Sequence, residues 1–516
     1  MIILLIVSIV ILIVLIKLVI RIIYKNYLYQ QFTKAPVTQY RELTKEYYQL
    51  NQKVAIDENT FQDLEMPQLL KMINYTLSPI GNEYLYNCFF RHSNDFKIQE
   101  LIIERLVNQD KLKEAIYCLR KLDKEYVPIL SLKEKLLKYP YRFKLLFIIL
   151  PFINLIFLGL GIIDHQYFYI PVVITIACIL INFQLNGRYE TVSLQVGSIK
   201  DIIVCSEKLL QLKLYPEDKQ QELKKVLKEL KKSFKLSYYF NCISFINIIG
   251  LLDLIKAILL IDVIQTACLE AKIDKINEEL LQLYDFIGQI DTSISVMTVR
   301  TLYQTSIPQV LDQKKIIIKN GYHLLIKNPV KNSVVIDNNA IITGSNASGK
   351  STFLKMLGAN LLLAKAMNIA FSERFQYYPF ALITSIHMKD DLENGYSFYV
   401  QEIKRLKKIT NRAKSECCLV LIDEILKGTN ETERLVIAHS ILKFLFSLDS
   451  LTIVSTHDIS LTKDFENVAN YCFNDIKRND EIVFDYLIKD GICSTGNAIA
   501  IVKSMDFDPK IIEMLE

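Results

Sequence analysis

The chain is poor in the residues that break up or staple small folds. Only 15 glycines and 12 prolines are spread over 516 residues, which argues against low-complexity segments. None of its ten cysteines pairs with another at C-x-x-C spacing, and Cys417 and Cys418 are simply adjacent. Neither a zinc site nor a disulfide framework is indicated. The cysteines read instead as small buried hydrophobes of a reducing compartment. Charge is also sparse: 61 Lys and Arg stand against 56 Asp and Glu, a formal +5 that does not by itself announce a nucleic-acid binder. No short-period repeat is present. What the chain has in quantity is apolar surface. Hydrophobic residues make up 51%, with 26 Phe and 28 Tyr, and mean hydropathy is +0.22. That value suggests membrane segments, and the length allows two to four domains.

Three long runs carry most of this apolar content. Ile2 to Ile16 is interrupted only by Ser8, and with Lys17 and Arg21 the run extends to Ile23. It lacks the positive leader and small-residue cleavage site of a signal peptide, so it reads as an uncleaved anchor. Leu145 to Ile163 is 19 residues with Asn154 as its one strong polar interruption, or about 28 Å of helix. After Asp164-His165-Gln166, Tyr167 to Phe183 is a second such run. The pair predicts a transmembrane hairpin. Lys17, Arg21 and Lys25 on one run, and Arg142, Lys144 and Arg188 around the others, predict an N-terminus outside and the rest of the chain in the cytoplasm. Tyr238 to Ile264 is also apolar, but Asn241, Asn247, Asp253, Lys256 and Asp262 interrupt it. A charge at mid-bilayer costs on the order of 3 kcal/mol, so this stretch reads as a buried helix or one lying on a membrane surface.

Between these runs the pattern is helical. Asn74 to Gly81 punctuates two helices, the next running Asn82 to Arg91, and Ile98 to Leu122 has amphipathic spacing. Glu222 to Lys235 is a charged helix on which Lys224, Lys228, Lys231 and Lys235 fall on one face, widened by Lys225 and Lys232. Phosphate backbone or anionic lipid would suit that stripe, as would plain solvation. Ala271 to Ile294 predicts another long helix.

From Lys315 the period becomes strand-like. Gly344-Ser345-Asn346-Ala347-Ser348-Gly349-Lys350-Ser351-Thr352 fits G-x-x-x-x-G-K-[ST], the phosphate-binding loop of P-loop NTPases. A short apolar strand, Ala340 to Ile342, precedes it, and Phe353 to Ile369 reads as a helix, which is the context the motif needs. Lys350 is expected on the β- and γ-phosphates of ATP, and the Ser351 hydroxyl on Mg²⁺. Cys418 to Glu424 is an apolar strand ending in two carboxylates, a Walker B pattern. Asp423 is the second expected Mg²⁺ group, and Glu424 the expected general base. Thr452 to His457 is another strand, ending 33 residues past Glu424 in a histidine that can sense the γ-phosphate. The expected catalytic set is therefore Glu424, His457 and Lys350.

The C-terminal half resembles the ATPase domain of the MutS family. Thr343 to Thr352 is similar to T-G-P-N-M-G-G-K-S-T, and Asp390-Asp391-Leu392 with Gly395-Tyr396-Ser397-Phe398 to D-D-L…G-x-S-T-F. Asp423-Glu424-Ile425-Leu426-Lys427-Gly428-Thr429 is similar to D-E-I-G-R-G-T, and Ser455-Thr456-His457 to the A-T-H switch. Ile56-Asp57-x-x-Thr60…Leu64-Glu65, Thr76-x-x-x-Gly81 and Ile102-x-x-Arg105-Leu106 resemble the start of the family's helical core. Asn328-Pro329-Val330-Lys331-Asn332 sits where that family enters its nucleotide domain. The likeness implies that Ser397 contacts ATP held by the other subunit of a homodimer joined through its ATPase domains. Some 55 residues precede the core-like region, and the family's mismatch-wedge Phe-x-Glu is absent from them; Phe371-Ser372-Glu373 matches the letters inside the ATPase domain only.

The expected fold is an α/β P-loop NTPase domain, ABC-type and MutS-like, preceded by an all-α core and lever region with transmembrane helices. The expected divisions are an anchor (1–23), a helical core-like region (24–143), a transmembrane hairpin (144–186), a lever-like region (187–314) and the ATPase domain with a helical tail (315–516). The expected activity is Mg²⁺-dependent ATP hydrolysis at a dimer interface, in a multi-pass membrane protein lacking mismatch-recognition and connector domains. Double-stranded DNA is a candidate ligand, with a mismatch-repair or damage-sensing role. The alternative is a switch acting on a membrane or protein partner with no DNA ligand.

Overall fold

A computed structural model describes residues 2–34, 36–38, 56–91, 94–122, 141–233, 255, 257–261, 264, 273–345, 348–386, 398–426, 431–465, 467–478 and 481–493. The N-terminal half is helical. Helix α1 is Ile2–Lys34, α2 Glu58–Asp63, α3 Met66–Ile73, α4 Pro79–Phe90, α5 Phe96–Leu106 and α6 Gln109–Lys121. Helix α4 starts three residues earlier than its apolar pattern suggests, because Ser78 caps it and Pro79 fits its first position. The single amphipathic pattern from Ile98 to Leu122 is broken in two. The Asn108 side chain accepts the N–H groups of Asp110 and Lys111 and so starts α6 afresh. Helices α7 (Tyr141–Ile163) and α8 (Tyr169–Gln211) form a hairpin around a 3-10 turn at His165–Tyr167. Helix α9 is Glu217–Ser233 and α10 Ile273–Leu302. The apolar stretch at 238–264 lies largely outside the described residues, as do Lys235 and the expected helical tail at 494–516.

The transmembrane expectation is corrected here. Among the described residues no helix is long and apolar enough to cross a membrane. Two of the three runs read as spans are parts of longer helices that join the helical core. In α1 the helix continues past Ile23, Arg21 and Lys25 pair with Glu114 of α6 at 2.9 and 2.8 Å, and Leu28 and Phe32 are buried in that core. The second run of the hairpin is the first part of the 43-residue α8, whose far end packs Ile199, Ile202 and Leu209 against α10. Asn154, the polar interruption, is buried between α7 and α8 and donates to Thr175 Oγ1 at 3.0 Å. The anchor, the multi-pass topology and the outside N-terminus inferred from hydropathy and flanking charge are therefore withdrawn. Apolar side chains such as Leu15, Val19, Leu155, Ile156 and Val173 nevertheless stand exposed on these helices.

The C-terminal half holds two sheets. Strands β1 (Gln309–Val310), β2 (Ile316–Gly321), β3 (Asn332–Ile336) and β5 (Arg374–Tyr377) form one, in the order β1-β5-β2-β3. The other contains β4 (Ala340–Gly344), β6 (Ala381–Ser385), β7 (Cys418–Asp423), β8 (Leu451–Thr456), β9 (Ala469–Arg478) and β10 (Glu481–Asp490). Its order is β10-β9-β4-β8-β7-β6, parallel except for the β9–β10 pair. Strands β4, β7 and β8 are buried at every residue, as a parallel sheet covered on both faces requires. Helices α11 (Lys350–Met367), α12 (Phe398–Ser415) and α13 (Glu431–Phe446) connect them.

Polar joints tie the halves together, one of them at α2 and another where Arg300 of α10 donates to the Asn368 carbonyl at the end of α11. Arg405 of α12 is 4% exposed at its side chain and bonds Asp57 at 2.5 Å, Thr60 Oγ1 at 3.0 Å and the Thr384 carbonyl at 2.7 Å. Asp63 accepts from Thr384 Oγ1 at 2.6 Å and from the Ile386 N–H at 3.0 Å. Burial would raise the Asp57 carboxyl, but bonding and charge from Arg405, with Lys408, hold it well below the usual range. Within the helical half, Asp291 of α10 lies buried at the start of α4, accepting from the N–H groups of Leu77 and Ser78 at 2.7 and 2.8 Å and from Ser78 Oγ at 2.6 Å. Gly81 is required beside it, since a Cβ there would meet the Asp291 carboxylate at 2.1 Å. Burial pushes the Asp291 carboxyl up to about 6, against those hydrogen bonds.

Arg405→Ala should cost about 3 kcal/mol of unfolding free energy, because it strands a buried carboxylate. Denaturant titration checks this, and an unchanged midpoint would show the joint to be inert. Asp291 binds its proton more tightly folded than unfolded, so its contribution to stability is full below about pH 4 and lost as pH rises through about 6. The penalty of Asp291→Asn should therefore shrink by on the order of 3 kcal/mol between pH 4 and pH 7. A pH-independent penalty in paired denaturation curves would contradict the shift.

Candidate functional site

The site begins where β4 ends. As a central strand between β9 and β8, β4 delivers the phosphate-loop sequence to the carboxyl edge of the sheet, where open α/β sheets place their ligands. Gly344 has φ 157° and Gly349 φ 109°. A Cβ at Gly344 would lie 2.9 Å from the Phe473 carbonyl, so the tight turn excludes other residues. Lys350 opens α11 and is buried, and its Nζ donates to the carbonyls of Gly344 at 2.7 Å and Ser345 at 2.8 Å. Asn346 and Ala347 lie outside the described residues, while Ser348, Ser351 and Thr352 line the cavity above the loop.

The two carboxylates at the end of β7 take different positions. Asp423 is buried and accepts from Ser351 Oγ at 2.7 Å and from Ser455 Oγ, which β8 places opposite it by strand register. Glu424 breaks from the strand in a left-handed conformation, φ 56°, while its N–H still donates to the Ser455 carbonyl at 3.0 Å. A non-glycine residue held there stores on the order of 1 kcal/mol of strain. The turn brings Glu424 to the wall of the cavity, with Oε1 3.4 Å from His457 Nδ1. His457 follows β8, and its Nε2 is 3.8 Å from Asp458, itself paired with Arg434 at 3.0 Å. Lys350, Ser351, Asp423, Glu424 and His457, which the sequence separates by more than 100 residues, thus converge at one sheet edge. Ser397, the Asp390-Asp391 pair and Lys427 to Thr429 fall outside the described residues.

The cavity measures about 440 Å³. The phosphate loop and Glu424 line one end, flanked by Phe473 and Tyr486 from β9 and β10. Tyr322, His323, Pro329 and Val330, between β2 and β3, line the rest. Sequence reasoning placed Asn328 to Asn332 only as an entry to the domain and missed His323, Phe473 and Tyr486. The strand periodicity around them gives no sign that they face a ligand. His323 is buried, neither ring nitrogen has a partner among the described residues, and burial, with the nearby Lys355, lowers its pKa against the pull of Glu65. Burial thus favours its neutral form.

This arrangement fits a nucleotide and a divalent ion. The Ser348 hydroxyl is buried at the loop without a partner among the described residues, as expected of a group that faces phosphate oxygens. Ser351 and Asp423 supply the hard oxygen ligands that Mg²⁺ prefers. Among the described residues no group of three or more His, Cys, Asp or Glu could hold a metal by itself. An ion at Ser351 and Asp423 would therefore share its coordination with the phosphates. The apolar and aromatic end is suited to a base.

Residues 340–516 match the family model for MutS domain V. Among curated relatives, MutS protein homolog 4 of Homo sapiens is 28% identical over 237 residues, covering 42% of this chain and 25% of that protein. MutS protein homolog 4 of Mus musculus is 30% identical over 236 residues, with 42% and 24% covered. The DNA mismatch repair protein MutS of Thermotoga maritima is 26% identical over 262 residues, with 49% and 32% covered. The aligned part of the chain spans between a quarter and a third of the length of these relatives. The matches support membership of the MutS family, carried by the domain that is the ATPase of MutS proteins, and they are consistent with ATP hydrolysis.

Lys350→Ala removes a charge-assisted donor and should weaken ATP binding roughly 10- to 150-fold. Equilibrium titration with ATP and Mg²⁺ measures this, and wild-type affinity would remove the loop from its assigned role.

Proposed function

We propose that this chain is an ATP-driven switch of the MutS type that acts on DNA. The observation that carries the reading is that Lys350, Ser351 and Glu424 line one cavity, with Asp423 bonded to Ser351 and His457 beside Glu424 just behind them. Lys350 and the loop N–H groups bind and neutralise the β- and γ-phosphates, aided by the start of α11. Ser351 and Asp423 hold Mg²⁺, which supplies electrostatic stabilisation of the transferring phosphoryl group. Glu424 polarises the attacking water and accepts its proton. His457, beside Glu424, reports the γ-phosphate to the strand end that carries Asp458 and its partner Arg434.

Ser397 immediately precedes α12, and in this proposal it meets the nucleotide of a second copy, so that ATP closes a homodimer of ATPase domains and hydrolysis reopens it. The joints at Arg405 and at the far end of α11 carry that motion to the helical half. The relatives named as DNA mismatch repair proteins support DNA as the substrate of the switch.

Glu424→Gln should keep ATP affinity and lower turnover at least 100-fold, with a stable dimer accumulating on addition of ATP. Steady-state phosphate release and light scattering provide the two readouts. Turnover at the wild-type rate would refute the general-base assignment, and a monomer at saturating ATP would refute the closure.

A further inference from the structure

The lysines of α9 do not form a solvated stripe on their own. The α8–α9 turn and helices α5 and α6 bring further cations to them. The turn is held by Arg105 of α5, which donates to the carbonyls of Lys213 and Tyr215 at 2.7 Å each, and by Gln220, which donates to the Tyr215 carbonyl at 2.6 Å. Lys213 sits at its tip in a left-handed conformation, φ 52°. Two adjoining hollows flank it, of about 490 and 620 Å³, both lined by Lys213, Gln220 and Lys224. The first adds Arg105 and Lys111, and the second Lys228 and Lys231. Six cations therefore surround the pair of hollows against two acids, Glu217 and Glu207, and Glu207 is already paired with Lys231. Leu223, Val226, Leu227 and Leu230 pack α9 into the helical core and leave Lys224, Lys228 and Lys231 exposed beside them.

We propose that this cleft binds the phosphodiester backbone of a nucleic acid. It deepens the DNA-acting reading above and rests on it. The spacing suits such a ligand. Lys224 to Lys231 span about 10 Å of helix, and Arg105, Lys111 and Lys213 line the adjoining hollow. A row of cations of this length can engage successive phosphates of one chain. Arg105 is pre-fixed by the turn carbonyls, and the lysine heads supply flexible point charges. This is the pattern of backbone positioning and not of base reading.

The test uses the full chain and a 30-base-pair duplex, with binding measured at several salt concentrations. A Lys213→Gln, Lys224→Gln, Lys228→Gln variant should bind at least tenfold more weakly at 0.1 M salt, with the log–log salt slope reduced by roughly 0.9 per lysine engaged. The corresponding triple Arg variant should restore binding, and equal unfolding transitions for all three proteins separate lost contacts from lost fold. Wild-type affinity and slope in the Gln variant would overturn the cleft while leaving DNA binding by another surface intact. Absence of salt-dependent duplex binding by the wild type would overturn the DNA-acting reading itself and the cleft with it. Lysine-dependent binding to phosphatidylserine–phosphatidylcholine vesicles without duplex binding would overturn the proposal in favour of a lipid surface.

Discussion

Helix α11 cannot end on its own terms. Every α-helix leaves its last four carbonyls without intrahelical partners, and here the helical half supplies donors for them. Asn94 donates to the Lys365 carbonyl at 2.8 Å, Gln99 to that of Met367 at 2.9 Å, and Arg300 to that of Asn368 at 2.9 Å. Arg300 in turn grips Glu100 through both guanidinium nitrogens, at 2.8 and 2.6 Å, and Asn368 donates to the same carboxylate. The N-terminus of this helix is the phosphate loop. A single rigid rod therefore has the nucleotide site at one end and α5 and α10 at the other. Gly358, midway along, lets Leu64 approach where a Cβ would sit 2.6 Å from its Cδ2. The contact between halves is thus continuous along the rod.

The second joint, at Asp57, Thr60 and Asp63, reaches a different part of the ATPase domain. It grips β6 and α12, whereas the first grips α11. Two separated attachments constrain an angle as well as a distance. A rotation of α12 relative to α11 must then strain or reorient the helical half. Helix α10, 30 residues long, carries such a reorientation about 45 Å. Its length is locked to α4 by Asp291 and by Gly288, where Tyr84 leaves no room for a Cβ.

The residues that meet at the carboxyl edge of the sheet were legible in the sequence, because a phosphate-loop motif leaves few choices of spacing. Gly344, Gly349, Lys350, Ser351, Asp423 and Glu424 sit at spacings that only a strand, loop and helix can use. The positive φ of Glu424 and the bond from Ser455 to Asp423 were not readable, since both depend on register between strands distant in the chain. The rest of the cavity lining was likewise hidden, because nothing in the local pattern marks the buried His323 or the exposed Tyr486 as facing a cavity. Hydropathy misled most. The runs starting at Ile2 and Tyr167 belong to helices that continue into charged and buried stretches, and a window that stops at the last apolar residue cannot see that continuation. The lysines of α9 are exposed, as a solvated helix face would be, and what the sequence could not show is that Arg105, Lys111 and Lys213 line the same hollows.

Position gives the last step. Helix α9 packs on α10 through Leu227 and Leu230, in the same core as Tyr284, Ile287 and Ile290, while Arg105 lies near the end of α5, the helix whose Glu100 holds Arg300. The cleft takes Arg105 from α5, and its helix α9 rests on α10, so both helices that cap the end of α11 adjoin it. If a polyanion fits one arrangement of these helices better than another, it must shift the arrangement of α11 by the same free energy with which a nucleotide at the proposed site shifts the cleft.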